Sequence, residues 1–340
     1  LADQAYLHGR VGELPAQVVG EGDQKKMLLE VDNLPSLGYK AFSLAQVEDQ
    51  PADPQMGLSV RPDFLENAFY RLELNEHGQI KRLWDKTNRR EVLPEGGLAN
   101  VLQAFEDKPM EFDAWDIDIY YQEKMRLIDQ LVDSCVEEAG PLRGVLRLTW
   151  RFDESTIVQR LTIYRHNPRI DFRTEVDWHE HQVLLKAAFP VDVRSTRATY
   201  DIQFGSLERP THWNTSWDYA RFETSAHKWV DLSEGNYGVA LLNDCKYGHD
   251  VKENVLRLTL LKSAVQPDAQ ADQGRHTFTY ALLPHAGDWR HGVIPESYQL
   301  NAPVRTQLVA GLPGGSLPPE FEFARVDAPN VIVETVKHAE

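Results

Sequence analysis

Residues 143–178 read RGVLRLTWRFDESTIVQRLTIYRHNPRIDFRTEVDW. Val145–Trp150 and Ile157–Tyr164 show period-two patterning, which sends successive side chains to opposite faces of a strand. Turn residues punctuate the runs at Asp153-Glu154-Ser155 and His166-Asn167-Pro168. Such runs, spaced about 8–12 residues between turn signals, predict an antiparallel β-sandwich.

The same grammar extends in both directions. FYRLELN, a turn at Glu76-His77-Gly78-Gln79 and IKRLWD predict a hairpin, with Leu72 and Leu74 buried and Arg71 and Glu73 wet. Residues 254–262 (NVLRLTLLK) and 276–284 (HTFTYALLP) return to strand pattern, and no helical stripe longer than about two turns stands out. Upstream, Met27–Val31 and Tyr39–Leu44 read as short strands broken by Asn33-Leu34-Pro35 and Gly38. We therefore expect a small β-domain, or the end of one, over 1–50, a Pro-rich linker over 51–63 and the main sandwich over 64–309. After the Gly/Pro punctuation at 310–320, another β unit is expected to begin, over 310–340. The chain opens on LADQAYLHGR and closes on the alternating run VIVETVKHAE, so it reads as a piece of a longer protein.

Composition narrows the function classes. The 340 residues are 42% hydrophobic, enough for a large core and more than one domain. A net charge of −16 argues against nucleic acid or an anionic membrane as partner. Two cysteines, Cys135 and Cys245, are too few for a disulfide framework. Together these lead us to expect a cytoplasmic protein.

Chemistry concentrates in AFEDKPMEFDAWDIDIYYQE, residues 104–123. Asp113, Asp116 and Asp118 alternate with Trp115, Tyr120 and Tyr121. Aromatic rings cover the C–H face of a sugar, and carboxylates accept bonds from its hydroxyls. A loop whose Trp plugs the core and whose acids cap turns would look the same. A second polar–aromatic stretch, Asn243-Asp244-Cys245-Lys246-Tyr247, follows the apolar run Val239–Leu242, so a strand should end there and hand its polar residues to a loop. His179-Glu180-His181 would put two imidazoles on one strand face, a solvated face being the better account than a metal pair.

The stretches EDKPMEFDAWDIDIYYQEK, TSWDYARFETSAHKWVDLSE, YGVALLNDCKYGHDV and ADQGRHTFTYALLPHAGDW together resemble the C-terminal β-domains of glycoside hydrolase family 38 α-mannosidases, over roughly residues 60–305. They are most similar to the bacterial and cytosolic-type branch. The resemblance implies an all-β fold: a large antiparallel supersandwich, galactose mutarotase-like, flanked by small β-sandwich segments. It implies retaining hydrolysis of terminal α-linked mannose by the full-length protein. The carboxylates and the divalent metal, usually zinc, belong in that family to an N-terminal barrel for which this chain has no counterpart. The expectation is thus a portion inactive alone, with no catalytic residue, cofactor or metal site of its own. Its partners would be an α-mannoside and its own catalytic barrel, with a homo-oligomer left open. Asp113, Trp115, Asp116, Asp244 and Lys246 are the residues expected at the sugar cleft or the domain interface. Two other classes compete: a free-standing aldose epimerase, and a carbohydrate-binding or oligomerisation module.

Overall fold

In a computed structural model, which describes residues 7–9, 16–20, 25–42, 44–46, 57–309, 315–328 and 330–339, the patterned stretch forms three consecutive antiparallel strands. Arg143–Phe152 pairs with Ser155–Tyr164 in unbroken register from Arg143 opposite Tyr164 to Phe152 opposite Ser155. Ser155–Tyr164 then pairs with Ile170–Trp178.

These strands belong to a nine-stranded antiparallel sheet. Its spatial order is Leu131–Ala139, Arg143–Phe152, Ser155–Tyr164, Ile170–Trp178, Gly274–Ala286, Tyr237–Asn243, Trp229–Glu234, Arg197–Ile202 and Gly205–Pro210. The facing sheet has six strands, in the order Met125–Leu127, Val101–Glu106, Val183–Pro190, Val255–Lys262, Gly248–Lys252 and Thr224–Ser225. A five-stranded sheet spanning Ser59–Glu91 joins the same core through Leu65, Leu72 and Leu83. The hairpin Tyr70–Leu74 with Ile80–Asp85 lies in it, with Leu72 and Leu74 buried.

The two large sheets meet face to face. Phe189 of the six-stranded sheet contacts Phe172 edge-on, with ring centroids 5.5 Å apart, and also Tyr280 of the nine-stranded sheet. One polar network is sealed between them: Gln159 donates to Thr174 and to the Tyr280 hydroxyl, Tyr280 donates to Asn100, and Asn100 donates to Gln159. Every member has a partner, which is what a buried polar group in such a core requires.

The outer face of the nine-stranded sheet is covered by a helix, Val293–Asn301, packed on Trp229, Leu242 and Leu283. The sequence pattern did not predict this helix. Its N-cap is Gly292 in a left-handed conformation without a side-chain cap, and its buried residues are Val293 and Ser297, so its apolar signal is faint.

Chain contacts divide the protein into two units, residues 55–304 and a second made of 1–54 with 305–340. In the second, Gly38–Lys40 pairs with Glu320–Glu322, and the Tyr39 hydroxyl donates to the Pro318 carbonyl at 2.9 Å. Residues 331–339, where VIVETVKHAE alternates, form no strand. Alternation alone does not make a strand; a partner does.

Candidate functional site

Residues 107–124 form a strap over the outer face of the six-stranded sheet. Its ends are held by buried Asp107, paired to Lys262, and by a 3-10 turn over Ile119–Glu123. Tyr121 is buried there edge-on to Phe105 at 5.1 Å, and it also packs on Phe222. Between these anchors the chain turns at Phe112, whose carbonyl accepts from the amides of Trp115 and Asp116.

Asp113 clamps this strap to the connection after Lys262. Its Oδ2 accepts from the Val265 amide at 2.6 Å and the Gln266 amide at 3.3 Å, while its Oδ1 is buried with no partner. Trp115 is 71% exposed, so it does not anchor the loop in the core. Asp116 is exposed as well.

The strand Tyr237–Asn243 ends where expected, and fully buried Asn243 builds the turn that follows. Its amide donates to the His227 carbonyl, and its side-chain oxygen accepts from the Lys246 amide at 2.7 Å. Asp244 repeats the arrangement of Asp113: Oδ2 accepts from the Thr279 amide at 3.0 Å, and Oδ1 is buried without a nitrogen or oxygen donor. The Lys246 ammonium sits 4.5 Å from the centroid of the Phe278 ring. Among the described residues no hydrogen bond or ion pair joins 113–116 to 244–246. They do share one end of the sandwich, because Tyr237–Asn243 runs antiparallel to Gly274–Ala286, toward the end at which that strand begins. The connection clamped by Asp113 leads into that same strand.

Beneath the strap lies a group of charges that the sequence reading missed. Lys186, fully buried, donates to Glu223 and, at 2.7 Å, to Asp250; Arg257 donates to the other oxygen of Asp250 at 2.7 Å. Thr259 donates to the second oxygen of Glu223. The register explains the assembly, since Lys186 lies opposite Thr259 and Asp250 opposite Arg257 on adjacent strands. Burial disfavours the charged ammonium, but Asp250 and Glu223 outweigh it and hold Lys186 above its ordinary range. Burial also pushes Glu223 up, against the pull of Lys186. The signal was present in the sequence: a lysine inside the apolar run VLLKAAFP must bring its counter-charges with it. His249 alternates to the opposite side of its strand, donates from Nδ1 to the Tyr247 carbonyl at 3.1 Å and is pushed down to about 4 by burial.

His179-Glu180-His181 is not on a strand face. The strand stops at Trp178, opposite Gly274 where its neighbour begins, and the three residues form the turn beyond. Glu180 accepts there from Ser155, and His179 lies against Asp177 at 3.1 Å. Among the described residues no three His, Cys, Asp or Glu side chains are grouped to hold a metal ion.

Fold and site together define a class: an antiparallel supersandwich with acid- and aromatic-rich loops at one end. The chain belongs to glycosyl hydrolases family 38, and residues 65–270 match the family's C-terminal domain. It is 41% identical over 322 residues to alpha-mannosidase 2C1 of Homo sapiens, covering 92% of this chain and 30% of that protein. It is 38% identical over 284 residues to alpha-mannosidase G of Dictyostelium discoideum, covering 81% of this chain and 26% of that protein. The chain therefore spans less than a third of the length of these relatives. A crystal structure of a glycosyl hydrolase family 38 protein from Enterococcus faecalis superposes with a TM-score of 0.74 at 15% identity, covering 94% of this chain and 43% of that one. No helix among the described residues is long and apolar enough to cross a membrane.

Proposed function

We propose that this chain is the C-terminal, non-catalytic portion of an α-mannosidase. The full-length protein hydrolyses terminal α-linked mannose with retention, in the cytoplasm, through a catalytic barrel that supplies the carboxylates and the divalent metal. The supersandwich at 64–309 supports that barrel, and its loops carrying Asp113, Trp115, Asp116, Asp244 and Lys246 line the carbohydrate cleft from the far side.

One observation carries the cleft assignment. Asp113 spends Oδ2 on the Val265 and Gln266 amides and keeps Oδ1 buried and unpartnered, and Asp244 spends Oδ2 on the Thr279 amide while its buried Oδ1, with only the neighbouring Cys245 thiol beside that carboxylate, has no nitrogen or oxygen donor. A buried acceptor left open calls for a donor from outside the domain. Sugar hydroxyls, or amides of a second domain, are such donors, and exposed Trp115 beside Asp113 offers the ring face that a pyranose stacks on.

The test is made in the full-length enzyme with an aryl α-mannoside. Asp113→Asn and Asp244→Asn each keep an oxygen for the backbone amide and replace the other acceptor with a donor. A hydrogen bond to a charged group contributes about 1.5–3 kcal/mol, so each variant should lower kcat/KM about ten- to hundredfold. Unchanged kcat/KM in both would sink the assignment. The isolated chain should show neither mannosidase activity nor mutarotation of an aldose by polarimetry.

A further inference from the structure

A recess on the same side of the six-stranded sheet brings together Tyr200, Arg209, Trp213, Asp218, Arg221 and Lys252, over the backs of Asp250 and Thr224. Its volume is about 370 Å³ including the open mouth, and its closed inner part has room for about one water-sized sphere. Three cations, Arg209, Arg221 and Lys252, line it, and among the described residues none of the three is paired with a carboxylate. Arg209 lies over the Tyr200 ring at 5.4 Å, and the Lys252 ammonium lies over the Trp213 ring at 3.7 Å. Asp250 cannot neutralise them, because Lys186 and Arg257 occupy both its oxygens. Asp218 is the other acid there, and its Oδ2 is engaged by the Thr215 hydroxyl. Such an excess of positive charge is notable in a chain whose net charge is −16.

One orphaned polar atom points to what is missing: Arg209 Nε is buried without an acceptor. An N–H of a guanidinium cannot be left dry without cost, so it marks a place for an acceptor. We propose that this recess binds a small inorganic anion, held by Arg209, Lys252 and Arg221 against the Trp213 and Tyr200 rings.

The test is thermal unfolding of the full chain at fixed ionic strength while sodium gluconate is exchanged for sodium chloride or sodium phosphate. At tenfold over the dissociation constant, a site of this kind should raise the midpoint by about 2 °C, with saturation. Gluconate, too large for the recess, should not. A rise with chloride alone marks a halide site, and a rise with phosphate marks an oxyanion site. Arg209→Met and Lys252→Met should each abolish the saturable part while leaving the general salt response. Absence of a saturable rise with both anions would mean that the recess holds only water, and the proposal falls. It falls equally if the rise survives intact in Lys252→Met, the variant that decides the matter should Arg209→Met fail to fold.

Discussion

Asp244 opens the short turn after Tyr237–Asn243, and Asp250 lies within the strand Gly248–Lys252 that follows it. Asp250 is 4% exposed, and both its oxygens are filled, one by Lys186 and the other by Arg257, each at 2.7 Å. Asp244 has one oxygen on the Thr279 amide and the other buried with no nitrogen or oxygen donor, the Cys245 thiol being the one donor beside the carboxylate. Asp113, across the same end of the sandwich, is built like Asp244. A charge that a fold places for its own stability arrives with its counter-charges, because an unpaired buried ion costs several kcal/mol. On the proposed function, a carboxylate left half satisfied at a loop is positioned by the fold and completed by a donor from outside it. The two regions can therefore be told apart by what each substitution costs.

The largest effect should come from opening the saturated cluster. Lys186→Met strands Glu223 and Asp250 in the interior, and removing one partner of a buried ion group costs about 3–5 kcal/mol. Denaturant unfolding of the chain should show this as a lower midpoint. Replacing all four charged members, Lys186, Glu223, Asp250 and Arg257, together with apolar or amide residues of similar volume should recover most of the loss, because no buried charge is then left unpaired. If the single and the quadruple variants are equally unstable, the cluster acts through shape and not through charge.

A somewhat smaller effect is expected from pH. His249 is held down to about 4 in the folded chain, against about 6.5 when unfolded. Between those values the unfolded state binds a proton that the folded state refuses, so stability rises with pH across that window and is lost as pH falls through it. The full span amounts to about 3 kcal/mol. His249→Gln removes the titrating ring, so the difference between the two pH profiles should be flat above pH 7 and slope only below it. Parallel profiles from pH 7 to 4 would show that the ring is charged inside the protein.

Asn243 is the strut between the two regions. It lies immediately before Asp244, and its side chain ties the His227 carbonyl and the Lys246 amide. Asn243→Ala should cost about 2–3 kcal/mol by leaving those backbone groups without partners. It should also loosen the turn that carries Asp244 and Lys246, which faster amide exchange at Lys246 would report. A loss of stability with no change in exchange there would separate the turn from its strut.

The strands were legible because their signal is local. Alternation from Val145 to Tyr164 and the Asp153-Glu154 turn specify two neighbouring strands from adjacent residues. Which strands lie on either side is decided by contacts distant in sequence, such as Ile170–Trp178 against Gly274–Ala286. The same limit explains the misreadings. His179 and His181 continue the strand pattern, but the partner strand begins opposite Trp178 and leaves them in a turn. Of the site, the composition at 113–116 and the strand end at Asn243 could be read directly. The cluster around Lys186 could not, since its four charged members come from positions 186 to 257 and meet only through register. Lys186 itself was the clue, as the polar interruption of an apolar run.

The smallest expected change in stability is the sharpest test of the contrast. Trp115 is 71% exposed, and among the described residues no side-chain hydrogen bond or ion pair holds it or Asp116. Substitutions at exposed positions away from caps and strained turns are usually within about 0.5 kcal/mol. Trp115→Ala and Asp116→Asn should therefore leave the unfolding midpoint of the isolated chain unchanged. In the full-length enzyme the same two variants should lower kcat/KM, chiefly through KM if the ring stacks on bound sugar in the ground state. Should Trp115→Ala instead destabilise the isolated chain by as much as Asn243→Ala, the strap would belong with the saturated cluster, as scaffold, and the contrast would collapse at that point.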